Sequence, residues 1–133
     1  MVRRLSQSAC LFLVASMAAC ASAGGTERRD ANVLERAEIE SASVSNLYDA
    51  VDRLRPRWLQ VRSVMSMSGT PPQIVVFLNA SYIGDPEALR QFDASTIVRL
   101  RYMDGPMATA RLRGYDTTRH VVGAIVLETA DGR

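Results

Sequence analysis

The chain has 133 residues, 16 of them basic, 14 acidic and one His, and it carries two Cys. Every basic residue is Arg, and taking away residues 1–19 removes Arg3 and Arg4, leaving 14 basic residues against 14 acidic ones. Such a balance lacks the basic face that neutralises phosphates, so no nucleic-acid partner is expected.

Met1-Val2-Arg3-Arg4 is followed by an apolar stretch from Ala9 to Ala19, broken only by Ser16 and leaving through Ala18-Ala19-Cys20. A basic start, a short apolar core and a small-residue exit form a secretory signal, and this core is too short to span a bilayer as a helix. Met17-Ala18-Ala19-Cys20 resembles a bacterial lipobox, although Met17 stands where Leu is commonest. Cleavage there would leave Cys20 as an acylated first residue. Ala21-Ser22-Ala23 offers an ordinary A-x-A exit instead, which would release a soluble periplasmic or secreted protein. The resemblance to lipoproteins implies several acyl chains on Cys20, and stable anchoring needs more than one. Ala21 is not the Asp that retains lipoproteins in the inner membrane, so the expected address is the periplasmic face of the outer membrane. Cys10 would leave with the signal, and no cysteine pair would remain for a disulfide. The expected division is a signal peptide at 1–19, a tether at 20–31 and one domain at 32–130, a common domain size.

Within that domain Val33-Leu34 suggests a short strand and Glu38-Ile39 a helical turn. From Ser41 to Arg55 the apolar residues Val44, Leu47, Tyr48, Val51 and Leu54 recur at helical spacing. The pattern predicts an amphipathic helix, capped by Ser43 or Ser45 and ended by Pro56. Trp58, Leu59 and Val61 read as packing residues. Residues 65–73, with Gly69 and Pro71-Pro72, read as a loop. Ile74 to Leu78 has the composition of a buried strand, and Ser81–Gly84 of a second one after a turn at Asn79-Ala80. Asp85, Pro86 and Glu87 start a helix that carries Leu89 and Phe92 inward. In Ile97–Met103, Val98, Leu100 and Tyr102 alternate with Arg99 and Arg101, which predicts a half-exposed strand. Asp104-Gly105-Pro106 turns into a short helix at Met107–Leu112, with Gly114 placed to end it. Val121–Leu127 is a last strand, in which Gly123 signals a bulge or a close backbone approach. The elements predict a small α+β domain with a mixed sheet of about four short strands and two to three helices.

The strand–Gly84–helix order resembles a phosphate-binding layout, but it has one glycine and an acidic cap where a dinucleotide site or a P-loop needs several glycines or a Lys. No cofactor is expected. His120 is the one His, and metal sites and Ser-His pairs would both rest on it. The carboxylate pairs Asp49/Asp52 and Glu38/Glu40 read as solvated helix faces, because nothing in the sequence predicts the cleft that a general acid/base pair needs. No catalytic residue and no metal ligand is assigned. The cluster Arg99, Arg101, Arg111, Arg113 and Arg119 is the more suggestive feature: it reads first as a solvated sheet face and second as a site for a carboxylate or a lipid headgroup.

The motifs of residues 70–129 resemble the plug domain of TonB-dependent outer-membrane receptors. That family carries a strand ending in an Asp-Gly turn, a helix, an I-V-R-L-R-Y strand, a Gly-Pro turn with small residues, an aromatic-Gly element and a G-V-I-x-V-x-T strand. This chain has Ile74–Asn79, Asp85–Phe92, Ile97–Tyr102, Gly105-Pro106-Met107-Ala108, Gly114 and Gly123–Thr129. Asn79-Ala80 replaces the Asp-Gly turn and Arg113-Gly114-Tyr115 lacks the aromatic-Gly order, so transport roles of those loops are not carried over. A barrel needs at least about eight strands of nine to eleven residues and none follows the motifs of 70–129 in these 133 residues, so the chain is not expected to form a receptor pore itself. The resemblance implies a free-standing, non-enzymatic, plug-like lipoprotein working by protein contact. It would be attached to the membrane through Cys20, with an outer-membrane β-barrel or another envelope protein as partner. A sheet edge accepting a partner strand, or the Arg face (Arg99, Arg101, Arg111, Arg113), would make that contact. A small envelope enzyme or ligand-binding protein using the carboxylates or His120 is the alternative.

Overall fold

The computed structural model describes residues 30–61 and 69–130. The signal segment, Cys20 and residues 65–68 of the expected 65–73 loop therefore lie outside the described residues, and the end of that stretch, Pro72 and Gln73, already belongs to β2. In chain order the elements are β1 (Val33–Glu35), α1 (Arg36–Ser41), α2 (Leu47–Leu54), a 3-10 turn (Pro56–Trp58), β2 (Pro72–Leu78) and β3 (Ser81–Gly84). A 3-10 helix (Pro86–Gln91), β4 (Arg99–Asp104), α3 (Gly105–Arg111) and β5 (His120–Glu128) complete them. The fold is α+β around a mixed sheet of five strands, ordered β1-β4-β5-β2-β3, rather than about four. Only β2 and β5 run parallel. The short strand expected at Val33-Leu34 forms as β1 and joins the sheet as its edge, its three residues pairing with β4 at Val33/Arg101, Leu34/Leu100 and Glu35/Arg99. So short a strand exists only because β4 supplies its ladder. Among the described residues no helix is long and apolar enough to cross a membrane.

Two apolar clusters sit on the two faces of the sheet. On one face Leu34, Ile74, Val76, Leu100, Ile125 and Leu127 pack with Ile39 of α1, Leu47 and Val51 of α2, Trp58 and Leu89. On the other, Val75, Phe77, Met103, Ala124 and Val126 pack with Ala108 and Leu112 around α3, joined by Tyr115. Because β2 and β5 are covered on both sides, their sequences run apolar without alternation. By contrast, β4 alternates, since α3 leaves its Arg99 and Arg101 uncovered. The buried hydrophobic positions other than Ala42 belong to these two clusters, and no polar or charged residue is buried among the described residues.

The first amphipathic stretch forms a shorter helix than its periodicity predicts. α2 begins at Leu47, not near Ser41, and its cap is Asn46 rather than Ser43 or Ser45. Asn46 Oδ1 accepts from the Asp49 backbone N–H at 3.0 Å while Asn46 Nδ2 donates to Asp49 Oδ2 at 2.9 Å. The residues before it are drawn into tertiary hydrogen bonds: the Ala94 N–H donates to Ser45 O and the Leu47 N–H to Phe92 O. With Ser43 in the left-handed region at φ 51°, the chain cannot continue as a helix from α1 into α2. Val44 keeps its place against the core although it is not helical. The Pro86–Gln91 segment starts as expected, with Asp85 capping Glu87, but winds as a 3-10 helix.

β5 shows both effects expected of Gly123. The ladder to β2 shifts register between Gln73 and Ile74, so that Val122 is bulged, and the Tyr102 ring lies against the Gly123 backbone. At the β2–β3 turn, Asn79 occupies the left-handed region at φ 53° and ties the turn to the end of β5. Its Nδ2 donates to Thr129 Oγ1 at 3.1 Å, and its Oδ1 accepts from the Thr129 N–H at 3.2 Å. Asn79→Ala removes both bonds and the side chain best suited to that backbone, for an expected loss of about 1–2 kcal/mol. Asn79→Gly restores the backbone freedom but not the bonds, so its urea midpoint should fall between those of Asn79→Ala and the parent chain.

Candidate functional site

The five-Arg cluster divides into separate structures. Arg99 lies opposite Glu35 on one neighbouring strand and Glu128 on the other. Its Nε meets Glu35 Oε1 at 2.9 Å and its Nη1 lies 3.7 Å from Glu128 Oε2. The Glu35 hydrogen bond, followed by its charge, raises the guanidinium above its ordinary pKa, so Arg99 is firmly cationic and already engaged. Arg113 closes the end of α3, donating from Nη1 to Thr109 O at 2.9 Å. Arg119 lies 3.8 Å from Asp116 Oδ2 in the loop before β5.

Arg101 and Arg111 come together. They line one open groove of about 400 Å³ between the β1 end and α3, which Asn32, Val33 and Met107 also line. Strand pairing puts Val33 opposite Arg101, and the α3 cap, Asp104 Oδ1 accepting from the Met107 N–H at 2.9 Å, sets the helix beside them. Arg101 Nη2 lies 3.2 Å from Glu128 Oε1, while its Nε is buried without an acceptor. Arg111 makes no ion pair or side-chain hydrogen bond among the described residues. Glu128, Asn32 and Met107 were not singled out in the sequence, because their proximity depends on strand register and on where α3 docks. Asp30 is on the same rim, its Oδ1 accepting from the Asn32 N–H at 2.9 Å.

A second groove, about 350 Å³, opens beside Trp58 and Tyr102 and includes Arg57 and Asn32. The two rings stack with centroids 5.7 Å apart, and Trp58 Nε1 donates to Ala31 O at 3.3 Å. His120 is exposed at the start of β5, opposite Pro72. Asp49 takes part in the α2 cap and lies 3.6 Å from Arg90, which stacks over Tyr48 at 3.7 Å. Glu38 faces Arg55 at 3.4 Å and Glu40 bonds Arg36 at 2.8 Å. Among the described residues no three His, Cys, Asp or Glu side chains gather within reach of one metal ion.

The two sheet edges differ. On β1 the outward Val33 N–H donates to Asp30 O, Val33 O accepts from Arg55 Nη2 at 3.4 Å, and the Glu35 N–H reaches Glu38 Oε2 at 3.5 Å. The outer groups of β1 are thus taken up by its own chain. On β3 no backbone hydrogen bond beyond the β2 ladder reaches Ser81–Ile83 among the described residues, and Tyr82 is exposed. Comparison with family models, curated proteins and solved structures finds no match for the chain.

Proposed function

We propose that this is a non-enzymatic lipoprotein, anchored through Cys20 at the periplasmic face of the outer membrane, whose plug-like domain works by protein contact as an accessory to TonB-dependent uptake. The observation that carries the reading is the order β2, hairpin, capped 3-10 helix, β4, Gly-Pro-led α3 and β5, which follows the order of the plug motifs from Ile74 to Thr129. Asn79 at positive φ supports it further, because it supplies in the β2–β3 turn the backbone conformation that Asp-Gly turns use. Contact by strand addition is supported by the open β3 edge, where main-chain groups would give affinity and the side chains beside them specificity.

The test is capture of the full chain from detergent-solubilised envelope after in-cell crosslinking, with co-captured proteins identified by mass spectrometry. A β-barrel receptor or an energy-coupling protein recovered in stoichiometric amount is the expected result. Recovery of the chain alone would overturn the contact reading. A Cys20→Ala variant should lose the outer-membrane fraction, and its retention there would overturn the anchor.

A further inference from the structure

The groove between the β1 end and α3 combines two properties that a solvated Arg face lacks. The first is a guanidinium held in place by an ion pair between strands yet open to solvent. Arg101 spends Nη2 on Glu128 at 3.2 Å, its Nε–H is buried and closed to any ligand, and its side chain is 39% exposed. The exposed part of the fork remains able to donate to a further carboxylate. The second is a free cation on the facing wall, since Arg111 has no anionic or carbonyl partner among the described residues. Asn32 adds an amide on the β1 side. Between these polar groups lie apolar side chains: Val33 is half-buried, Met103 is buried, and Met107 on α3 is 43% exposed, one of three large hydrophobic side chains so open to solvent among the described residues.

We infer that this groove binds an extended acidic peptide segment of a partner protein, with carboxylates on Arg101 and Arg111 and an apolar side chain between Val33 and Met107. The inference rests on the protein-contact reading and names the chemistry of the partner. Charge selects the sign of the ligand: the groove's two guanidiniums offer planar donor forks that fit carboxylates. Shape selects a peptide over a free small carboxylate. The groove is open along its length rather than enclosed, so a small acid would gain only the charged contacts while a strand would also cover Met107. Asp30 on the rim repels an anion that does not reach the guanidiniums, which limits binding to ligands whose acidic groups are correctly spaced.

The test is a titration of the 15N-labelled full chain in detergent with a capped Glu-Leu-Glu-Leu-Glu peptide, followed by amide NMR. Saturating shifts at Asn32, Val33, Arg101, Met107 and Arg111 are expected, with binding weakened about tenfold in Arg111→Ala, the loss of one charge-assisted contact. Arg57→Ala, the same charge change beside the Trp58 groove, should leave the affinity unchanged, and a Lys-Leu-Lys-Leu-Lys peptide should not bind. The absence of shifts, an equal response to the basic peptide, or equal weakening by Arg57→Ala would overturn the inference. Glutarate binding as tightly as the peptide would also overturn it, in favour of a small-acid site. Repeating the in-cell capture with Arg111→Ala separates this inference from the broader reading. A partner retained at undiminished yield would remove the groove and leave protein contact standing, whereas wild-type chain captured alone would remove protein contact.

Discussion

Phe77→Ala is expected to cost about 3–5 kcal/mol, the usual range for emptying a buried phenyl site, out of a total that for a domain of this size is about 5–15 kcal/mol. Phe77 is fully buried in β2 on the α3 face of the sheet. It meets Tyr82 of β3 edge-on at 5.6 Å and Tyr115, in the loop after α3, at 6.1 Å. The remainder of that cluster is Val, Ala, Met and Leu, so no neighbour can swing in to fill the space. The cluster on the other face is larger and spans three helical segments and Trp58. Damage at Phe77 should therefore loosen α3 and the 112–119 loop before it reaches α1 and α2. Hydrogen exchange checks this directly: protection should fall in α3 at concentrations of urea that leave α2 protected. Uniform loss of protection across both faces would contradict it.

Gly105→Ala should destabilise by about 1–3 kcal/mol, the range for overpacking a filled site, although Gly-to-Ala in a helix normally stabilises by about 0.5–1 kcal/mol. The sign is the point of the experiment. A Cβ on Gly105 would overlap the carbonyl oxygen of Val121 and lie 3.3 Å from the Val122 Cα. These are main-chain atoms of β5, the strand bonded to both β4 and β2, and they cannot yield as a side-chain tip can. The start of α3 must lift instead, taking Met107 and Arg111 with it. Gly123→Ala is the informative comparison, since there the obstacle is the Tyr102 ring, 2.8 Å away at Cζ and stacked on Trp58. Denaturant midpoints of both variants, read with the acidic-peptide titration, should show that Gly105→Ala lowers both stability and peptide affinity. A stabilised Gly105→Ala variant would mean that α3 does not press on β5.

Much of this architecture is legible without coordinates. β2, β4 and β5 declare themselves through β-branched runs and through the Arg alternation of β4, and Asp85-Pro86 and Asp104-Gly105-Pro106 announce their helices through capping and proline chemistry. Those signals act over four residues or fewer, and no distant contact overrides them. The start of α2 was misread for the opposite reason. Val44 and Leu47 have helical spacing, yet on either side of Asn46 the Ser45 carbonyl accepts from the Ala94 N–H and the Leu47 N–H donates to Phe92 O, more than forty residues away in the sequence.

The Arg residues divide along the same line. Their number, their position on alternate sites of one strand and their cationic character follow from the order of residues alone, and the expectations of an export signal and of a lipobox at Cys20 rest on that order too. Which of them are available to a ligand depends on register and docking. Pairing of β4 between β1 and β5 sets Glu35 and Glu128 on either side of Arg99 and uses it up, and the α3 C-terminus claims Arg113. Docking of α3 on β5 brings Arg111 to the groove that Arg101 lines. Local patterning determined the elements and the charge they carry, because period and capping are properties of neighbouring residues. Tertiary structure decided which charges are free, because an ion pair between strands depends on residues that only folding brings side by side.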